Sequence, residues 1–409
     1  MKLTARLHGA AQPIGILRQR NFGLVWSAIM LTGMGQQMET LVLAWYVLTL
    51  TNSPFLMSLT ASARISFNFL ALFAGAVADR VPRQLLMAAA SFLLASLALV
   101  MLALILSDLL ETWHIFAITL VGGLSRIFLM PAAHSLTADS VPEERISNAV
   151  ALTNMGMNLT LIIGPFLGGR LFESRGPDEA YALIVILYLS GGTAALLVRT
   201  TRSAASRHAE SVFSTVIQGL KYVKGQQVVW AALLAAVIIN LTGFPFHISL
   251  MPIFARNVLE EGPTQLGMLM SAFGIGALIG SLVLASVQNL KHAGKLLVVA
   301  VIVWHGSMVV FAESETFLLS LGILLVTGMA FASTLVLILT VILRTVPPEF
   351  RGRIMGLRVL AIYAHFFGSL LSGATAEAWG APHAARINAA LGIALIATLA
   401  FIAPKLRRS

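Results

Sequence analysis

Three charged side chains stand near the middle of long apolar runs: Glu39, Arg64 and Arg126. A charge at the centre of a hydrocarbon layer costs at least about 2.5–3.5 kcal/mol, so each is expected to face an interior or aqueous cavity and to be paired. A single carboxylate near arginines can do one of two things there. It can lock helices together as a structural ion pair, or it can carry a proton whose affinity is set by burial and by the neighbouring cation. Glu39 belongs to the cluster Gln36-Gln37-Met38-Glu39-Thr40. Gln36 and Thr40 lie on its helical face, as a cavity lining requires. Further polar residues in apolar runs complete a candidate substrate cavity: Asn154, Asn158, Asn240, His247, Tyr363 and His365. In the second half of the chain, Asn240, His247, His305, Tyr363 and His365 read first as satisfied helix–helix contacts and only second as ligands.

Other chemistries lack their residues. The chain has no cysteine, which excludes disulfides, thiolate metal sites and cysteine nucleophiles. Its histidines lack metal-ligand spacing, and no Gly-rich loop followed by Lys and Ser/Thr exists to cradle a nucleotide phosphate. Glu143-Glu144 and Asp178-Glu179 are adjacent carboxylates in loops, unlike the opposed pair of a hydrolase. No enzyme activity, cofactor or bound metal is expected. The 16 methionines are scattered through apolar runs as core or cavity filling, and a cavity lined by Met and aromatic residues would suit bulky amphipathic substrates.

The elements that must position these residues follow from composition. Of 409 residues, 58% are hydrophobic and only 11% charged, with a mean hydropathy of +0.88. That is less than half the charge of a soluble domain, and too many large apolar residues for disorder. The apolar runs are long and unbroken, which points away from a membrane barrel and to an all-α polytopic membrane protein. Twelve spans are expected, at roughly 21–49, 54–78, 84–107, 113–139, 147–172, 179–199, 227–255, 263–288, 294–312, 317–344, 353–379 and 385–403. The one long connection, Thr200 to Gln227, is polar and basic and ends in an amphipathic segment from Val212 to Val223 expected to lie on the membrane face. The expected organisation is a six-helix bundle over 1–199, a cytoplasmic linker over 200–226 and a second six-helix bundle over 227–409. The net charge of +10 then reads as topology: 21 of the 27 Lys and Arg fall on the side of the N-terminus and the linker. Only Arg170, Arg175, Arg256 and Arg386 fall on the other, so both termini are expected in the cytoplasm and nucleic-acid binding is not. The N-terminal stretch lacks a signal-peptide pattern, and the first span is expected to stay in the membrane.

An internal repeat supports two halves. Val141-Pro142-Glu143-Glu144-Arg145-Ile146 has a partner in Val346-Pro347-Pro348-Glu349-Phe350-Arg351. The segment 164–176 matches 368–380 at five identical positions (Gly, Leu, Gly, Glu, Gly), again about 205 residues apart. The loop Gly75-Ala76-Val77-Ala78-Asp79-Arg80-Val81-Pro82-Arg83-Gln84 resembles the loop signature of major facilitator superfamily transporters, with Val77, Pro82 and Gln84 as departures. Gly123-Leu124-Ser125-Arg126, Pro131 and Asp139 to Arg145 resemble the fourth-helix segment of that family's drug and siderophore exporters. Gly164-Pro165-x-x-Gly168-Gly169 resembles its antiporter motif. The opening Leu17-Arg18-Gln19-Arg20-Asn21-Phe22 and the central Gln218-Gly219-Leu220-Lys221-Tyr222-Val223 resemble the branch containing the enterobactin exporter and macrolide efflux pumps.

The resemblance implies the major facilitator fold, two pseudo-symmetric six-helix bundles, working by alternating access. It implies a proton-coupled antiporter exporting an amphipathic small molecule of the drug or siderophore class from the bacterial inner membrane. Glu39, Arg126 and Arg64 would couple the proton. Gly75, Asp79, Arg80, Arg83, Asp139 and Arg145 would form a cytoplasmic gate, and Gly164, Pro165, Gly168 and Gly169 would permit bending. Protons, a small-molecule substrate and membrane lipids are the expected partners of a monomer. Uptake or facilitated exchange of a polar metabolite or lysolipid is the alternative within transport; a non-transporting membrane sensor of the same fold is the alternative outside it.

Overall fold

The computed structural model describes residues 15–70, 81–199, 212–287 and 290–408, with the backbone alone for Phe69 and for 212–216. Every regular element among them is a helix. In a layer that offers no hydrogen bonds to the backbone, a helix satisfies its own amides within one segment. In chain order the helices of the first half are α1 (Arg20–Thr51), α2 (Pro54–Ala63), α3 (Arg83–Leu106), α4 (Thr112–Asp139), α5 (Ile146–Arg175) and α6 (Pro177–Leu196). After them come α7 (Val212–Lys224), α8 (Gln227–Thr242), α9 (Met251–Asn257), α10 (Pro263–Ser286), α11 (Ala293–Ala312) and α12 (Phe317–Thr345). The chain closes with α13 (Pro348–Leu360), α14 (Tyr363–Trp379), α15 (Ala381–Ile402) and α16 (Pro404–Arg408).

Each of the twelve expected spans has a helix in its place. Among the described residues, ten stretches are long and apolar enough to cross a membrane, α8–α9 and α13–α14 each counting as one. The other two differ for identifiable reasons. Helix α1 has 32 residues, but Gln36, Gln37, Glu39 and Thr40 interrupt its apolar character. Helix α2 ends at Ala63 and gives way to turns over 64–70, while 71–78 of that span lie outside the described residues. Exposed apolar side chains such as Leu318 (80%) and Phe401 (81%) belong in lipid rather than water.

Local sequence sets the helix ends. Asn52 turns left-handed (φ 52°) to close α1, and Ser53 caps α2 by accepting the Leu56 amide at 3.1 Å, with Pro54 in the first turn. Gly176 (φ 99°) and Gly380 (φ 86°), matched in the internal repeat, end α5 and α14 in a backbone conformation that disfavours any other residue.

Successive spans run in opposite directions, as the contacts at their ends require: Asn21 meets Arg199 and Arg83 meets Asp139 at one face, and Glu313 meets Arg386 at the other. The face that carries the linker helix α7 also carries the starts of α1, α3, α5, α8 and α11; we call it the linker face, and its opposite the far face. Helix α7 packs on α13, with Tyr222 stacked on Phe350 at 4.4 Å. On the far face, Arg386 grips Glu313 through two hydrogen bonds of 2.7 and 2.8 Å and holds its carboxyl below the usual carboxylate range. In the first half, α1 packs on α5 and α6, and α3 on α4 and α6; in the second, α12 packs on α10 and α11, and α15 on α11 and α14. The halves meet along α5–α10 and α2–α14. Backbones touch where α10 crosses α12: a Cβ on Gly276 would stand 2.1 Å from the Leu325 carbonyl oxygen, and one on Gly328 2.0 Å from that of Phe273. Gly306, by contrast, has nothing within 4 Å of a built Cβ.

Gly328→Ala is therefore expected to destabilise the protein by about 1–3 kcal/mol through overpacking. Gly306→Ala should be neutral or gain up to about 1 kcal/mol of helix propensity. Thermal unfolding of both variants in detergent checks the contrast.

Candidate coupling site and central cavity

Helix α1 brings Glu39 to mid-depth, and two other helices of the first half meet it. Arg126 of α4 places Nη2 2.5 Å from Glu39 Oε2. Tyr188 of α6 donates its hydroxyl to the same oxygen at 2.5 Å and accepts a hydrogen bond from Arg126 Nη2 at 3.3 Å. Carboxylate, guanidinium and phenol thus form a closed triangle. Their burial is incomplete, with side-chain exposures of 12% for Glu39 and 16% for Arg126, so the pair is paired yet not sealed. Gly35, one turn before Glu39, makes room for the Tyr188 ring, which would lie 2.9 Å from a Cβ there. Arg64, at the end of α2, donates to the Thr40 hydroxyl, which in turn donates to the Gln36 carbonyl at 2.7 Å.

Beside this triangle lies a cavity of about 230 Å³ at the seam between the halves. Gln37, Thr40 and Arg64 supply its polar edge on one side, and His247 and His365 supply it on the other. The remaining wall is apolar, with Met57, Met251, Met270, Phe273 and Phe331 among it. His247 arrives there on a π turn, Phe246–Leu250, which follows Pro245 and interrupts the α8–α9 stretch. It stacks on Phe273 at 4.8 Å, and its Nδ1 and the Nε2 of His365 are buried without a hydrogen-bond partner among the described residues.

Several expected cavity residues lie elsewhere. The cavity face of α1 is Gln37, Thr40, Leu43 and Ala44, one side of the helix, so Gln37 lines the cavity and Gln36 contributes only a carbonyl. Asn154 is exposed and Asn158 half-buried on α5, away from the lining. Asn240 is buried and donates to the Ala236 carbonyl at 2.8 Å; Tyr363 donates to the Ser66 carbonyl at 3.5 Å. His305 is held between Thr242 and the Val301 carbonyl, both at 2.8 Å, as a helix–helix contact. Thr40, His247 and His365 do line the cavity. Tyr188 is the participant that sequence reasoning missed. A single tyrosine inside an apolar run carries no signal until its partner across α1 is known.

At the linker face, Arg83 and Asp139 form an ion pair at 2.5 Å, joining α3 to the end of α4. Arg145 is exposed in the single turn Glu143–Arg145. Gly75, Asp79 and Arg80 lie outside the described residues. The α5 motif serves as a contact surface: Gly164 and Gly168 seat against Gln37 and Met38 of α1, and Gly169 against the Pro263 carbonyl of α10. Pro165 lines the cavity without ending the helix.

The model of the transmembrane secretion effector family (MFS_3) matches residues 11–409. The chain belongs to that family, and so to the major facilitator superfamily. The multidrug efflux pump Tap of Mycolicibacterium fortuitum is 24% identical over 397 residues, covering 94% of this chain and 96% of the relative. Macrolide efflux protein A of Enterococcus faecalis is 20% identical, covering 53% of this chain and 67% of its own length. Among solved structures, a bacterial homolog of the human lysosomal transporter Spinster superposes with a TM-score of 0.70 at 14% identity, covering 95% of this chain and 96% of that one. The nucleoside transporter NupG does so with a TM-score of 0.69 at 14% identity, covering 93% and 99%. The fold is that of a major facilitator transporter, a multi-pass membrane protein that moves a small molecule and is not an enzyme.

The triangle makes a sharp prediction about stability. Arg126→Ala removes the ion-pair partner of a mostly buried carboxylate that Tyr188 still donates to, and should cost about 3 kcal/mol. Adding Glu39→Gln should recover much of that loss, because the carboxylate that lost its partner is then replaced by a neutral amide. Unfolding of the single and double variants in detergent checks it; equal losses in both would contradict the pairing.

Proposed function

We propose that the protein is a proton-coupled exporter of bulky amphipathic molecules, working across the bacterial inner membrane with both termini and the linker face in the cytoplasm. The observation that carries this reading is the placement of Glu39. Its carboxylate is held by Arg126 and Tyr188 at mid-depth, one residue from Thr40, which lines the cavity and receives Arg64. Ionised Glu39 ties α1, α4 and α6 together. A proton arriving from the far face removes the ionic half of that tie, frees Arg126, and changes how these helices sit against the cavity wall. Proton and substrate then occupy the carrier alternately, the proton travelling inward and the substrate outward.

The cavity supports an amphipathic cargo. Its Met and Phe wall suits an apolar body, while Arg64, Thr40, Gln37, His247 and His365 offer hydrogen bonds at its edges. A polar metabolite would leave most of that wall poorly used. Export as the direction draws on the relatives named as multidrug and macrolide efflux proteins. We divide the chain at 199 and 226 into two rocking bundles and a linker. Arg83–Asp139, with Gly75, Asp79, Arg80 and Arg145, would close the cytoplasmic side when the far face opens.

The test uses liposomes loaded with a compound that the wild-type chain expels from cells lacking their own pumps. Glu39→Gln should abolish the acceleration of transport by an imposed pH gradient while leaving exchange of labelled for unlabelled compound intact. Wild-type acceleration in the variant would contradict the carrier role of Glu39.

A further inference from the structure

Two of the polar contacts that join the halves at the far face come from matched places in the internal repeat. Glu173, in the last turn of α5, accepts the Thr264 amide through Oε2 at 3.1 Å, at the start of α10. Glu377, in the last turn of α14, accepts the Phe55 amide at 2.9 Å and the Ser53 hydroxyl at 2.5 Å, at the start of α2. These two glutamates are the identical acids of the aligned segments 164–176 and 368–380. Each reaches out of its own half to cap the first turn of a helix in the other. Each capped helix begins with proline, Pro263 or Pro54, which has no amide hydrogen and leaves the following amide to the carboxylate. A negative charge at that end of a helix is favourable through the partial positive charge of the unsatisfied amides.

The surroundings make these contacts a closure. Arg256 of α9 donates to the Leu48 carbonyl and, at 2.7 Å, to Asn52 Oδ1, fastening the far end of α1 to the second half. The α5 and α10 backbones touch one turn from Glu173: a Cβ on Gly169 would meet the Pro263 carbonyl oxygen at 2.1 Å. Both capped helices carry cavity walls further along. Helix α2 presents Met57, Thr60 and Ala61 and leads directly into Arg64, and α10 presents Met270, Phe273 and Ala277. The cap therefore fixes where those walls stand, although neither glutamate lines the cavity.

We infer that Glu173 and Glu377 are a matched pair of far-face latches, and that the release of both is the step that opens the cavity to that side. They are positioning residues: each acts through the helix it caps. Two latches around a pseudo-twofold arrangement let the far face open evenly, with α2 leaving α14 and α10 leaving α5 together.

The chain has no native cysteine, which makes the test direct. Ala44 lines the cavity, so Ala44→Cys reports access to it. Vesicles of known sidedness are exposed at the far face to a charged, membrane-impermeant maleimide. Glu173→Gln and Glu377→Gln, which keep side-chain size, should each speed labelling by about 2–5-fold, and the double variant should exceed either. Labelling from the linker face should fall or stay level, and thermal midpoints should separate latch release from loss of fold. Unchanged far-face labelling in folded variants would overturn the proposal. So would equal acceleration from both faces, which is what general loosening produces. The single variants carry the test where the double does not fold. The measurement needs neither substrate nor proton gradient, so it stands or falls apart from the coupling role of Glu39.

Discussion

The ion pair between Glu39 and Arg126 is the constraint around which the first half is built. Coulomb attraction is strong where water is scarce, and so is the penalty for a charge left alone there. The protein meets both with a triangle that converges on one carboxylate oxygen, and it draws the donors from two helices other than the one that carries the acid. Much local sequence follows. Helix α1 gives up apolar character at mid-depth, α4 carries an arginine through a membrane span, and Gly35 yields its side-chain volume to the Tyr188 ring. The pair stays partly exposed, and Glu39 stands one residue from Thr40, which lines the cavity.

The seam between the halves turns that local chemistry into a transport device. The α5–α10 contact is close because glycines on both helices let backbones touch, and such contacts repack between discrete arrangements rather than stretching. The cavity sits on this seam, with the charged edge from the first half and the aromatic and histidine edge from the second. Any rearrangement of α1 around Glu39 is felt at Thr40 and Arg64, and through them on the cavity wall.

Much of the fold could be read from the amino acids because membrane spans announce themselves by length and apolarity. Among the described residues each of the twelve runs carries helix, and the pairing of Glu39 with an arginine followed from cost alone. What could not be read was rotation and long-range contact. Helical period says that Gln36, Gln37 and Thr40 are near one another, but only packing against α2 and α5 decides that Gln37 and not Gln36 faces the cavity. Asn154, Asn158 and Asn240 looked like lining because they are polar in apolar runs, yet a polar side chain can be satisfied by its own helix, as Asn240 is. The repeat was visible as five identities, whereas its use was not, since each glutamate finds its partner about 90 or more than 300 residues away. The loop signature around Asp79 lies outside the described residues, and its role rests on the resemblance and on the Arg83–Asp139 pair.

The central claim is that Glu39 gives up a proton when substrate occupies the carrier, and proton release on substrate addition measures this most directly. Purified protein in weakly buffered detergent, with a pH-sensitive dye, should acidify the medium when an expelled compound is added, and Glu39→Gln should bind the compound with no acidification. Binding without proton release in the wild-type protein, or equal release from the variant, would contradict the account.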